Sequence, residues 1–151
     1  MNTQTMYKIC ENQGKIWESA ACHGYDMEAF FKAYMHSSFA RSFDECWSLF
    51  HFMDTKEALQ EFLEKAYAEG YAPSERSDGL FYSADVSYWA GFMCRFIAFS
   101  TGAKSADIGE EISFNELANA YPGLHTLSEE EALGDIVGAH PALGGTHERV
   151  V

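Results

Sequence analysis

The chain has 151 residues, 47% of them apolar and 15% aromatic, which suits one hydrophobic core and is too short to expect two domains. No apolar run is long enough to cross a bilayer, and Met1–Thr5 is polar with no basic stretch, so neither a membrane span nor a secretory leader is expected. The formal net charge is −13, and the ten Lys and Arg residues form no cluster, which argues against direct nucleic-acid binding.

In chain order the pattern is helical almost throughout. A first helix is predicted from Thr3 to about Cys22, because Met6, Cys10, Trp17 and Ala21 recur at helical spacing, with Gly14 as a weak point. Asp26 is placed to cap a second helix, in which Met27, Phe30, Phe31, Tyr34 and Met35 form an apolar face extending to about Phe39. Phe43 to Phe52 is aromatic-rich and reads as a short helix or turn. From Asp54 or Thr55 to about Glu69, one stripe of Ala58, Leu59, Phe62, Leu63, Ala66 and Tyr67 lies opposite a charged face, and Gly70 stops the helix.

Tyr71 to Ala84 reads as a loop or a short hairpin. Asp85 to Thr101 is apolar around most of its circumference and ends at Gly102, as expected of a central helix. Ser113 with Glu116, and Ser128 with Glu131, match the capping pattern in which a Ser hydroxyl and a Glu carboxylate satisfy orphan helix amides. Two short helices are therefore predicted, ending near Tyr121 and Val137. The expected architecture is all-α: a single compact helical domain of about five to seven helices over residues 1–138, with a flexible tail over 139–151. With 12 Phe and 8 Tyr, the core should be built mainly from rings.

Chemistry-bearing patterns are sparse. No phosphate-binding glycine loop, nucleophile elbow or zinc-protease motif occurs. Cys10, Cys22, Cys46 and Cys94 are widely spaced with no C-x-x-C pair, which fits reduced thiols. Cys22 and His23 are adjacent and point apart on a helix, so no metal site is predicted, and no cofactor. Arg95 stands alone in the central apolar helix and needs either a carboxylate or aromatic rings around it, with Asp44, Glu45 and Asp85 as candidate partners. Gly91, in the same helix, suggests the close approach of a neighbouring helix.

The strongest partner signal is charge. Nine acidic residues and no Lys or Arg lie between Ser105 and Glu148. Asp107, Glu110, Glu111, Glu116, Glu129, Glu130, Glu131 and Asp135 are therefore the candidate partner-binding residues, since a field of one sign speeds encounter with a basic partner and repels phosphate backbones.

Ser87-Tyr-Trp-Ala-Gly-Phe-Met-Cys-Arg-Phe96, Ser100-Thr-Gly102 and Tyr121-Pro-Gly-Leu-His-Thr-Leu127 resemble a family of small uncharacterised bacterial proteins with a YWxGYxYRYW-like helix. Phe30-Phe-Lys-Ala-Tyr-Met35 and Ser38 are similar to an earlier element of the same group. Phe96, Ile97 and Ser128 depart from its pattern, standing where Tyr, Trp and Asp are usual. The resemblance implies an antitoxin-like or mobile-element accessory role and marks Tyr88, Trp89, Gly91, Arg95 and His125 as motif positions.

The expected function is that of a non-enzymatic, cytoplasmic, acidic inhibitor of a basic protein or ribonucleoprotein partner. One alternative is a phage or mobile-element anti-CRISPR protein that mimics nucleic acid, its carboxylates taking the place of phosphates. Another is a small enzyme with a site at Tyr88, Arg95 and His125.

Overall fold

Helix α5, Ala84–Thr101, is the axis of the fold: every residue from Ala90 to Phe99 is buried. The computed structural model describes residues 3–45, 55–72 and 83–145. Within them the order is α1 (Thr3–Cys22), α2 (Met27–Met35), α3 (Ser38–Glu45), α4 (Thr55–Ala68), α5, α6 (Ser105–Glu111), α7 (Phe114–Leu124), α8 (Glu129–Ala139) and α9 (Ala142–Gly145). The all-α class expected from the pattern holds, with no strand among the described residues. No described helix is long and apolar enough to cross a membrane.

α1 lies along α5, and glycines set the approach. A Cβ at Gly14 would stand 2.8 Å from the Tyr88 carbonyl oxygen, and one at Gly91 would stand 2.9 Å from Trp17 Cγ. Gly14 therefore does not interrupt α1 as its low helix propensity suggested; it lets the two backbones meet. α6, α7 and α8 also pack against α5, and α2 packs against α6 and α7.

The core is ring-built as expected. Trp17 has no exposed surface and meets Phe31 and Tyr34 edge-on, with centroids 5.6 and 5.4 Å away. Phe62 of α4 closes the cluster at 5.2 Å from both Phe30 and Tyr34. Each ring so buried contributes roughly 1.5–3 kcal/mol of transfer free energy, with edge-on pairing adding to it.

Local signals place most helix ends. Asp26 Oδ1 accepts from the amides of Glu28 and Ala29, Ser83 Oγ from Val86, Ser113 Oγ from Glu116 and Ser128 Oγ from Glu131. Gly70 and Gly102 take positive φ at the ends of α4 and α5, and the Gly102 amide donates to Ala98 O.

Four expectations change. The helix foreseen from Asp26 to Phe39 is two helices, because Ser37 Oγ donates to Tyr34 O at 2.6 Å and accepts from the Ala40 amide at 3.0 Å, ending α2 and starting α3 with one hydroxyl. α6 was not foreseen. α7 runs past Tyr121 through Pro122 to Leu124, and α8 runs to Ala139. After α8, His140 bonds Glu111 and Glu116, and Leu143 of α9 is 1% exposed. The rest of the expected tail, 146–151, lies outside the described residues, as do most of the aromatic 43–52 segment and most of the 71–84 loop or hairpin.

Candidate functional site

Arg95 is buried, and its guanidinium is consumed by the protein. Nη1 donates to Asp44 Oδ1 at 2.7 Å, Nη2 to Ser105 Oγ at 2.9 Å and Nε to Gln13 Oε1 at 3.2 Å. The ring of Phe43 lies 5.0 Å from Arg95 Cζ, so the two alternatives read from the sequence, a carboxylate or aromatic rings, occur together. Asp44 is the partner, rather than Glu45 or Asp85. Its second oxygen, Oδ2, accepts from the Ser105 amide at 3.0 Å, and Ser105 Oγ donates to Oδ1 at 2.8 Å.

Gln13 extends the network. Its side-chain amide donates to Gly91 O at 2.8 Å, and its Oε1 also accepts from Tyr34 Oη at 3.0 Å. A buried ion pair satisfied this fully joins α1, α2, α3, α5 and α6 at one point. Gln13 and Ser105 carried no sequence signal, since each matters only through a residue distant in the chain.

The other motif residues gather elsewhere. Tyr88, Trp89 and His125 line one cleft of about 240 Å³ between α1, α5 and the turn joining α7 to α8. α1 adds Tyr7 and Glu11 to its wall, and α8 adds Glu129, while Phe92, Met93 and Ala132 supply apolar surface. Trp89 stands edge-on to Tyr121 at 5.8 Å, and Tyr121 stacks on His125 at 4.1 Å, with the His125 Nδ1 2.6 Å from Tyr121 O. Tyr7 Oη donates to Glu130 Oε1 at 3.2 Å. Burial, helped by Glu130 and Glu129, pushes the Tyr7 phenol up to about 12, and burial with Glu11 and Glu18 raises Tyr88. Both hydroxyls therefore stay protonated at neutral pH, and formal negative charge in the cleft resides on carboxylates.

Arg95 is not part of this cleft. The three residues of the enzyme alternative are thus divided, with Tyr88 and His125 together and Arg95 held by Asp44 and Ser105. Tyr7 and Glu11 were missed by sequence reading. Their four-residue spacing puts them on one face of α1, but nothing local shows what that face meets.

The eight candidate acids lie on α6, α7 and α8, and all except half-buried Glu129 are exposed. Their ion pairs among the described residues are with histidines: Glu110 with His36 at 3.1 Å, and Glu111 and Glu116 both with His140. Glu131 accepts from Ser128 Oγ, and Asp107 borders a second cleft with Arg41 and Lys104. Cys10 and Cys94 are buried and burial pushes both thiols up to about 12, whereas Cys22 is exposed. No group of three His, Cys, Asp or Glu side chains among the described residues is arranged to hold a metal.

Comparison with known proteins finds no family model, no curated protein and no solved structure that matches the chain.

Proposed function

We propose that the chain is a non-enzymatic, antitoxin-like inhibitor that neutralises a basic, nucleic-acid-acting protein through the carboxylates of α6, α7 and α8. The observation that carries this reading is their exposure without a Lys or Arg ion-pair partner among the described residues: seven of the eight acids are solvent-facing, and their ion pairs there are to His36 and His140. Exposed carboxylates not ion-paired to strong bases keep their field available to an approaching cationic surface.

The test begins with the protein that this chain retains from its source cells. That protein should be basic and should act on nucleic acid, and the chain should suppress its activity. Association should slow steeply as salt rises, because the attraction is screened over roughly 10 Å at 0.1 M ionic strength. A variant carrying Asp107→Asn, Glu110→Gln, Glu130→Gln and Asp135→Asn should associate at least about tenfold more slowly at low salt. An association rate indifferent to both salt and these substitutions overturns the reading. Addition of DNA or RNA separates the two kinds of inhibitor: a mimic is displaced competitively, and an antitoxin that grips the partner elsewhere is not.

A further inference from the structure

We propose that the cleft between α1, α5 and the α7–α8 turn seats one arginine side chain of the partner, its guanidinium held against Trp89 and the carboxylates of Glu11 and Glu129. This rests on the reading of the partner as basic and assigns the contact at which it is gripped.

Size comes first. At about 240 Å³ the cleft falls below the roughly 300–1,000 Å³ of sites for drug-sized ligands and cofactors. It would hold about eight waters at liquid density, which suits a single long side chain. The walls then select its chemistry. Tyr7, Tyr88, Trp89 and Phe92 present rings from two helices, and Tyr7 and Tyr88 each lie within 6.4 Å of Phe92, centroid to centroid. Ring faces attract cations, indole most strongly, and a guanidinium also stacks on them because it is planar and weakly hydrated.

Charge completes the fit. Glu11 comes from α1 and Glu129 from α8, Glu130 is adjacent through its bond to Tyr7, and neither Lys nor Arg lines the cleft among the described residues. Lys8 borders a neighbouring depression that shares Tyr7 and Glu11. An incoming cation therefore meets carboxylates that have no resident strong base in the cleft, beside rings already in place. Lys is the weaker occupant, being more strongly hydrated and unable to stack.

The probe is Nα-acetyl-arginine amide, titrated into isotopically labelled full-length protein and followed by NMR, with the citrulline analogue as a neutral control of nearly the same shape. Arginine should shift resonances of Trp89, Phe92 and His125, saturating in the millimolar range, with citrulline at least about tenfold weaker. Glu129→Gln and Glu11→Gln should each weaken arginine several-fold. Trp89→Leu should abolish the effect; because that change also removes a contact with Tyr121, the two carboxylate variants carry the test if it unfolds.

Equal binding of citrulline, shifts confined to surfaces away from the cleft, or tighter binding of free arginine than of the capped form would overturn the assignment. The last result would point to an amino-acid site rather than a docking one. If the basic partner binds Glu129→Gln and Glu11→Gln as it binds the native chain, the cleft is not the grip, and the broader charge reading stands. If the partner's association ignores salt while capped arginine still fills the cleft, the charge reading fails and the cleft assignment remains.

Discussion

The Asp44 carboxylate and the Arg95 guanidinium, 51 residues apart in the chain, meet at 2.7 Å with side chains 4% and 1% exposed. Asp44→Ala would leave that cation buried and unpaired, and should destabilise the fold by about 3–5 kcal/mol. Arg95→Met combined with Asp44→Ala should lose less than the two single changes together, because neither charge remains to be buried. Urea unfolding of the four proteins measures this. Strict additivity would mean that the pair is not coupled.

Asp44 also holds the first amide of α6, at Ser105. The same Asp44→Ala variant should speed hydrogen exchange over α6, Ser105–Glu111, more than over α8, whose cap at Ser128 is local. Equal acceleration across both helices would indicate global loosening instead.

His140 joins Glu111 and Glu116, and the Glu116 contact raises its pKa above the ordinary value despite partial burial. The folded state therefore binds this proton more tightly than the unfolded chain does. Its stabilising contribution is fully present below the unfolded pKa of about 6.5 and is lost as pH rises through the higher folded value. The stability difference between the native protein and His140→Gln should shrink over that window, as followed by thermal unfolding across pH. A difference that stays constant with pH would remove His140 from the balance.

Glycines at contact and in open space should respond with opposite sign. At Gly14 a new methyl meets the Tyr88 backbone oxygen at 2.8 Å, which the partner helix cannot easily move, so Gly14→Ala should destabilise by about 1–3 kcal/mol. Nothing lies within 4 Å of a Cβ at Gly134 in α8, so Gly134→Ala should stabilise by up to about 1 kcal/mol through helix propensity. Chemical denaturation of the two variants settles both signs.

Thiol reactivity should follow burial. In the native protein at neutral pH a soluble thiol reagent should label Cys22, while Cys10 and Cys94, enclosed and shifted to about 12, react only as the chain unfolds. Peptide mapping after timed labelling reads this directly, and native labelling of Cys94 at the rate of Cys22 would contradict the described packing.

Legibility divided along the range of the interactions. Asp26, Ser113 and Ser128 each satisfy an amide two or three residues ahead, so helix starts at these points are written in neighbouring letters. Gly70 and Gly102 end helices by their own backbone freedom, the apolar stripe of α4 reports a helical period, and α5 reads as central because it is apolar nearly all round. α6 is the counter-example: Lys104 at its N-cap makes no side-chain cap bond, and the amide of Ser105 is taken by Asp44, 61 residues earlier. No local pattern could have announced it.

The sequence by itself determined the helical class, most of the caps, the ring-built core and the need of Arg95 for company, because each follows from propensity, periodicity or the energy of an unpaired buried charge. Tertiary structure alone decided which carboxylate answers Arg95, that Gly14 and Gly91 let α1 and α5 touch, and that Glu11 of the first helix shares a cleft with Glu129 of the eighth. Those choices depend on distances between parts of the chain far apart in order, and such distances exist only once the helices have packed.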